Sequence, residues 1–285
     1  MKLSICTISF RHHLTSIDQL AQWASTHHFD GIELWGIHAT NLANTPQFNA
    51  AWIERLGLGV SMLSDYLPME GPEAVMLAKA QSLCALAEHW NTQKIRTFAG
   101  HRSSTDTSPA ERRQIVSRLR QLCELLAEHD QQLLIETHPN TLADSLASTM
   151  RLLAEVNHPG LRINFDVLHV WESGEDPLEA LALMRPFVSH YHLKNIGSRE
   201  QLGVFAPPNV YAAAGSREGM VPLFRGAVDY YDFLCHLLLD EASEASLEWF
   251  GGDAEAVLKQ DCTEIRQLER ALQRELTPSR MVMSG

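Results

Sequence analysis

Residues 132–138 read QLLIETH, a short apolar run that ends in Glu136 and, two residues on, His138. Three more runs repeat that form: LRINFDVL at 161–168 with Asp166, VSHYHLKNI at 188–196 with His192, and SLEWFG at 246–251 with Glu248. A carboxylate inside a buried strand is costly unless something neutralises it. Three carboxylates and one imidazole at matching places on four strands point to one shared divalent cation. The alternative is that each acid pairs with a nearby arginine or lysine. Upstream, period and punctuation give four further strands, at 3–10 (LSICTISF), 31–36 (GIELWG), 59–66 (GVSMLSDY) and 94–100 (KIRTFAG).

Helical spacing fills the intervals. The segments 72–90, 109–129 and 254–274 set leucine and alanine against charged faces. Start signals stand at Ser16–Gln19, at Ser108–Glu111 with Pro109 in the first turn, and at Asp176–Glu179 with Pro177. Eight alternating strand and helix units with no flexible linker predict one (β/α)8 barrel, a TIM barrel, over 1–275, with 276–285 a flexible tail. A doubly wound open sheet is the structural alternative. One connection is out of proportion: some fifty residues separate the seventh and eighth strands, including VFAPPNVYAAAGSREGMVPLFRG at 204–226. Long βα connections of this kind usually serve as lids or binding loops, and in a barrel this one emerges on the catalytic face.

The net charge of −12 argues against a partner that is nucleic acid or anionic membrane, since both need a basic surface. Five cysteines, odd in number and without a C-x-x-C pair, suggest reduced thiols. The beginning, MKLSICTISFRHH, lacks the apolar core of a signal peptide, and no run is long enough to span a bilayer. A soluble cytoplasmic protein is the expectation. Barrel proteins often associate, so a homo-oligomer is compatible with this reading.

In a barrel, inward residues near the carboxyl ends of the strands converge. Glu136, Asp166, His192 and Glu248 then sit on strands five to eight, consecutive around the ring. Acid-rich ligation with one imidazole suits Mn²⁺ or Mg²⁺ first, with Co²⁺ and Zn²⁺ also accommodated. Period two enlarges the site, because His138 shares a strand face with Glu136, and Lys194 with His192. An imidazole beside a metal ligand is placed to move a proton. Lys194 and Arg96 suggest an anionic substrate group, or else they neutralise the ligands. Glu33 reads as a second acid/base group or an orienting partner for His138, and Tyr66 as part of the same polar ring. His169 is a candidate substrate contact, and Phe205 and Tyr211 are the aromatics of the long connection. No role is assigned to His12 or His13, and the pair at 27 and 28 sits at a helix end, where a cation is favourable.

CTISFRH, GIELWG, KIRTFAG, ETHPNTL, HYHLKN, NVYAAAGSREGMVPLF and SLEWFG together resemble the 3-dehydroshikimate dehydratases of petrobactin-type siderophore biosynthesis, in the xylose-isomerase-like barrel superfamily. The likeness runs from the first strand to about residue 260. It implies conversion of 3-dehydroshikimate, a small cyclic anion, to 3,4-dihydroxybenzoate with loss of water. It also implies one divalent cation on Glu136, Asp166, His192 and Glu248, with His138 as acid/base. Arg96, Lys194, Tyr66 and Tyr211 match the family's substrate positions, and Glu33 its supporting acid. The nearest rival is a sugar isomerase or epimerase on the same barrel, with an inosose-type dehydratase behind it. A multi-zinc nuclease is disfavoured by the acidic charge, and a small-acid sensor by the intactness of the four ligands.

Overall fold

The computed structural model describes residues 1–238 and 242–276. From residue 277 onward, the tail expected at 276–285 lies outside the described residues. Ten strands appear in chain order: β1 (Lys2–Cys6), β2 (Gly31–Trp35), β3 (Gly59–Ser64), β4 (Lys94–Thr97), β5 (Gln132–Glu136), β6 (Leu161–Asp166), β7 (Val188–Leu193), β8 (Asn195–Ile196), β9 (Met220–Val221) and β10 (Glu244–Leu247). Eight of them close into a parallel barrel in the order β1-β10-β7-β6-β5-β4-β3-β2, which excludes the open sheet. β8 and β9 pair separately as a two-stranded antiparallel ladder. No helix among the described residues is long and apolar enough to cross a membrane.

Several strands stop earlier than their apolar runs. β1 ends at Cys6, and Thr7–Phe10 turns into a 3-10 helix. The hydroxyls there take over neighbouring strand ends: Thr7 Oγ1 accepts from the Trp35 amide at 2.9 Å, and Ser9 Oγ from the Trp249 amide at 2.9 Å. The run expected at 188–196 divides at Lys194 into β7 and β8. β10 lies two residues upstream of expectation, so Glu248 follows it and continues the ladder through its amide to the Leu193 carbonyl at 3.1 Å. The long connection is not structureless. It holds the β8–β9 ladder, short helices including Pro207–Tyr211, and the helix Tyr230–Leu237.

Period two decides what each strand face does. The outward residues Leu3, Ile5, Ile32, Leu34, Ile95, Leu133, Ile135, Ile163, Phe165 and Leu247 are fully or almost fully buried in the main core, under the helices. Large-to-small changes there cost about 2–5 kcal/mol each. The inward face is mostly polar: Ser4, Glu33, Ser64, Arg96, Glu136, Asn164, Asp166, His190, His192 and Ser246 are all buried. Among buried aliphatic side chains, Met62 and Leu134 stand apart from the main core. Helix starts follow the sequence signals. Ser16 and Ser108 form complete capping boxes with Gln19 and Glu111, and Asp176 accepts from the Leu178 and Glu179 amides.

One buried acid lies on the last helix, Ala254–Leu276. Asp261 accepts from the Leu223 amide at 2.9 Å, and burial pushes its carboxyl up to about 7. The folded state therefore keeps this proton over a range where the unfolded chain has released it. That contribution to stability is fully present below the unfolded pKa and is lost as pH rises through about 7. Asp261→Asn should remove that part of the slope. Denaturant titrations of both proteins at pH 5 and pH 8 check it, and an identical pH dependence would refute the assignment.

Candidate functional site

The strand ends bring the four expected ligands together. Glu136 and Asp166 are the last residues of β5 and β6, His192 is paired in register with Asp166 on β7, and Glu248 follows β10. Thr137 Oγ1 accepts from the Asp166 amide at 2.8 Å, which locks the first two strand ends together. The Nδ1 of His192 faces Glu136 Oε1 at 3.4 Å, Glu248 Oε1 at 3.6 Å and Asp166 Oδ2 at 3.9 Å. This nitrogen is buried and has no hydrogen-bond partner among the described residues. Ligand atoms that share one ion at about 2.1 Å stand about 3 to 4 Å apart. The three spacings around His192 Nδ1 fit that separation better than they fit hydrogen bonds. Asp166, His192 and Glu248 form one candidate triplet, and His169 joins Glu136 and Asp166 in another.

Charge counting points the same way. Glu33, Glu136, Asp166 and Glu248 are buried with Arg96 and Lys194 as the permanent cations beside them, leaving two negative charges when His192 is neutral, as a metal-bound imidazole must be. Uncompensated buried charge is expensive, so a divalent cation suits the donor set. Lys194 Nζ bridges Asp166 and Glu248, the latter at 2.7 Å. Arg96 Nε stands 3.0 Å from Glu136 Oε2. Both cations thus neutralise candidate ligand carboxylates, the alternative to holding a substrate anion. Arg96 Nη1 is buried without a partner among the described residues, so one donor is left for something in the pocket. Burial opposes the charge on Lys194, but Asp166 and Glu248 raise its pKa well above the ordinary value. Burial likewise presses on His192, yet Glu248, Glu33 and Glu136 carry its pKa well up.

Glu33 is placed differently from the expectation that it orients His138. It is fully buried on β2, and its carboxylate meets His192 Nε2 at 3.0 Å, accepts from Ser64 Oγ, and lies 3.4 Å from Cys6 Sγ. Burial alone would raise its pKa, but His192 overrides burial and lowers it, so it is a carboxylate at neutral pH. A carboxylate on the remote nitrogen leaves Nδ1 as the lone-pair donor toward the cluster. Glu33→Gln should weaken Mn²⁺ binding about 10–100-fold with kcat largely recovered at saturating Mn²⁺. A kcat that stayed low under saturation would return Glu33 to an acid/base role.

A pocket opens above the cluster. Glu136, Glu248, Arg96, Lys194, His138, His169, Phe205 and Tyr211 line it, together with Phe98, Phe250, Pro207 and Val210. Tyr66 reaches it through Tyr211, whose hydroxyl lies 2.6 Å from its own. His138 Nδ1 lies 2.7 Å from the Pro139 carbonyl, which can only accept, so Nε2 carries the lone pair. Burial and His169 lower the His138 pKa to about 3, keeping the ring neutral. The His169 ring lies 4.5 Å from that of His138, and its Nδ1 is held by Glu172 at 2.7 Å. His12 and His13 are exposed. Phe98 and Phe250 escaped the sequence reading, although each lies two residues beyond an expected site residue, Arg96 and Glu248. The same period had revealed His138 and Lys194.

The model of the xylose isomerase-like TIM barrel family matches residues 21–268. A 3-dehydroshikimate dehydratase from Bacillus anthracis is 49% identical over 265 residues, covering 91% of this chain and 94% of its own. The crystal structure of AsbF from Bacillus anthracis, a probable 3-DHS dehydratase involved in petrobactin synthesis, superposes with a TM-score of 0.89 at 48% identity, covering 92% of this chain and 98% of that one. A xylose isomerase-like barrel from Mycobacterium smegmatis in complex with magnesium shares the fold at a TM-score of 0.69 and 18% identity, covering 95% of this chain and 97% of its own.

Proposed function

The chain belongs to the xylose isomerase-like TIM barrel family, and on that premise we propose that it is a hydro-lyase converting 3-dehydroshikimate to 3,4-dihydroxybenzoate and water. The observation that carries this reading is 49% identity over 91% of the chain with a dehydratase of that specificity. The pocket's own chemistry suits the reaction. 3-Dehydroshikimate carries a ketone, neighbouring hydroxyls and a carboxylate. The proton beside the ketone is too weakly acidic to leave at neutral pH without help. Once it is removed, the hydroxyl one carbon further on departs with a proton as water, and tautomerisation gives the aromatic ring.

His138 takes that first proton at Nε2, the nitrogen that the Pro139 carbonyl leaves free. Glu136, Asp166, His192 and Glu248 would hold a divalent cation, Mn²⁺ or Mg²⁺, whose charge polarises substrate oxygens when it is bound. Arg96 orients the substrate carboxylate through its unpartnered Nη1, in reach of the Tyr66 and Phe98 rings at 5.4 and 5.0 Å. Lys194 keeps the Asp166 and Glu248 carboxylates in place. His169, steadied by Glu172, faces the substrate from the β6 side, and Phe205, Tyr211 and Phe250 exclude water from the ring face.

Formation of a catechol product is followed by ultraviolet absorbance from 3-dehydroshikimate, with chelated protein before and after addition of Mn²⁺. Absorbance growth that chelation abolishes and Mn²⁺ restores is expected. Protein supplied in turn with Mn²⁺, Mg²⁺, Co²⁺ and Zn²⁺ that still forms no product, while turning over a ketohexose, would overturn the reading.

A further inference from the structure

The segment 204–217 is bonded within itself around Asn209. Asn209 Nδ2 donates to the Val204 and Ser216 carbonyls, both at 2.8 Å, and its Oδ1 accepts from the Ser216 amide at 2.8 Å. Arg217 donates to the Asn209 and Ala212 carbonyls at 3.0 and 2.9 Å. At its base, Asn195–Ile196 pairs with Met220–Val221, and the Gly197 amide donates to the Gly219 carbonyl at 2.8 Å. The result is a rigid flap on a narrow two-residue stem.

Across the pocket mouth two side chains fasten this flap. Arg11, just beyond the 3-10 turn that follows β1, donates from Nε and Nη2 to the Val210 carbonyl at 2.7 and 2.5 Å. Its Nη1 holds the Ile8 carbonyl at 3.0 Å, and its guanidinium lies 5.0 Å from the Phe250 ring. Tyr211 adds its hydroxyl contact with Tyr66 and stacks on Trp35, with centroids 6.0 Å apart and planes 10° from parallel. Beneath the flap the cavity measures about 40 Å³. That is room for about three waters, and far below the ~300 Å³ at which small-molecule pockets begin. A ring acid of about twelve non-hydrogen atoms needs more room than this arrangement leaves beneath the flap.

We propose that Arg11 is a positioning residue for the dehydration, clasping the Val210 carbonyl so that the flap shuts and sets Tyr211 and Phe205 over the bound substrate. This rests on the activity read above. A fork of two charge-assisted bonds onto one carbonyl is strong for so small a contact. It bears on a flap whose other ties across the mouth are aromatic contacts, Tyr211 with Tyr66 and Trp35 and Phe205 with Phe250. Burial and nearby Arg217 lower the Arg11 pKa to about 10, so the guanidinium remains charged at neutral pH. Arg11 stands outside the candidate ligand cluster, so its loss acts on closure and leaves the cation's donors in place.

The test compares Arg11→Gln and Arg11→Lys with the wild type. Charge-assisted hydrogen bonds of this kind set the expected fall in kcat/KM of Arg11→Gln at about 10- to 100-fold, with Mn²⁺ affinity unchanged. Arg11→Lys, which keeps the charge and one donor, should recover part of the loss. By hydrogen–deuterium exchange, amides of residues 204–217 should exchange faster in Arg11→Gln than in the wild type, with the last helix unaffected. Adding 3,4-dihydroxybenzoate should slow that segment in the wild type more than in the variant. A kcat/KM within about twofold of wild type together with unchanged exchange in 204–217 would overturn the clasp. The exchange measurement needs no turnover, so a wild type inactive on 3-dehydroshikimate would sink the assigned activity while the clasp is judged separately.

Discussion

His138→Ala is expected to lower kcat by about 10²–10⁴-fold while Mn²⁺ affinity stays within about threefold of wild type. The size follows from what a positioned proton acceptor contributes and from the lack of a ready substitute. Glu136, two residues earlier at the end of β5, is paired with Arg96 and belongs to the candidate ligand set. His169 is tied to Glu172 through Nδ1 and turns its Nε2 toward Asp166 Oδ2, 3.8 Å away. The expected selectivity follows from geometry, because His138 bonds to the Pro139 carbonyl and to none of the four candidate ligands. Steady-state kinetics at saturating Mn²⁺ and calorimetric Mn²⁺ titration check the two halves. Turnover close to wild type would remove His138 from the role of base.

Asp166→Asn should be as severe, by a different route. The amide keeps an oxygen for the His169 amide, which Asp166 Oδ1 caps at 3.1 Å, so the helix Val167–Glu172 keeps its start. What disappears is one negative charge and one anionic donor, and an amide nitrogen can then face the Lys194 ammonium. Removing groups that merely support a ligand typically costs 10–100-fold in metal affinity, so losing a direct ligand should cost at least about 100-fold. Activity at stoichiometric Mn²⁺ should fall to the background of the chelated protein. Calorimetric titration that gave wild-type Mn²⁺ affinity would show that Asp166 is not a ligand.

Much of this site is legible in the sequence because a barrel strand has only two faces. Once QLLIETH is read as a strand, Glu136 and His138 are expected on one side, and the same step links His192 with Lys194; β5 and β7 stop at Glu136 and Leu193, yet His138 and Lys194 still line the pocket. The barrel itself follows from alternation, and its closure is confirmed by the pairing of β1 with β10. What stayed hidden depends on distances between strands far apart in sequence. Nothing near Glu33 announces that it meets His192, 159 positions away. Arg11 looks like an ordinary loop arginine until the Val210 carbonyl, 199 positions on, is brought against it. Strand ends extend too far for a related reason: Ile8 and Phe10 continue the strand-like pattern, yet the hydroxyls of Thr7 and Ser9 between them accept from neighbouring backbone amides.

The two faces of these strands also divide the labour of holding the barrel together. Inside a barrel of this kind, bulky branched residues usually fill the centre. Here the centre holds Ser4, Asn164, His190 and Ser246, and neither polar atom of Asn164 has a partner among the described residues. Such a lumen adds little to cohesion, which comes from the sleeve of aliphatic residues outside. A change at Ser246 takes from His190 its partner at 2.8 Å, while one at neighbouring Ile163 or Leu247 opens a cavity in the outer core. Adjacent residues along one strand therefore fail in different ways when changed, one through a lost polar partner and the next through lost packing.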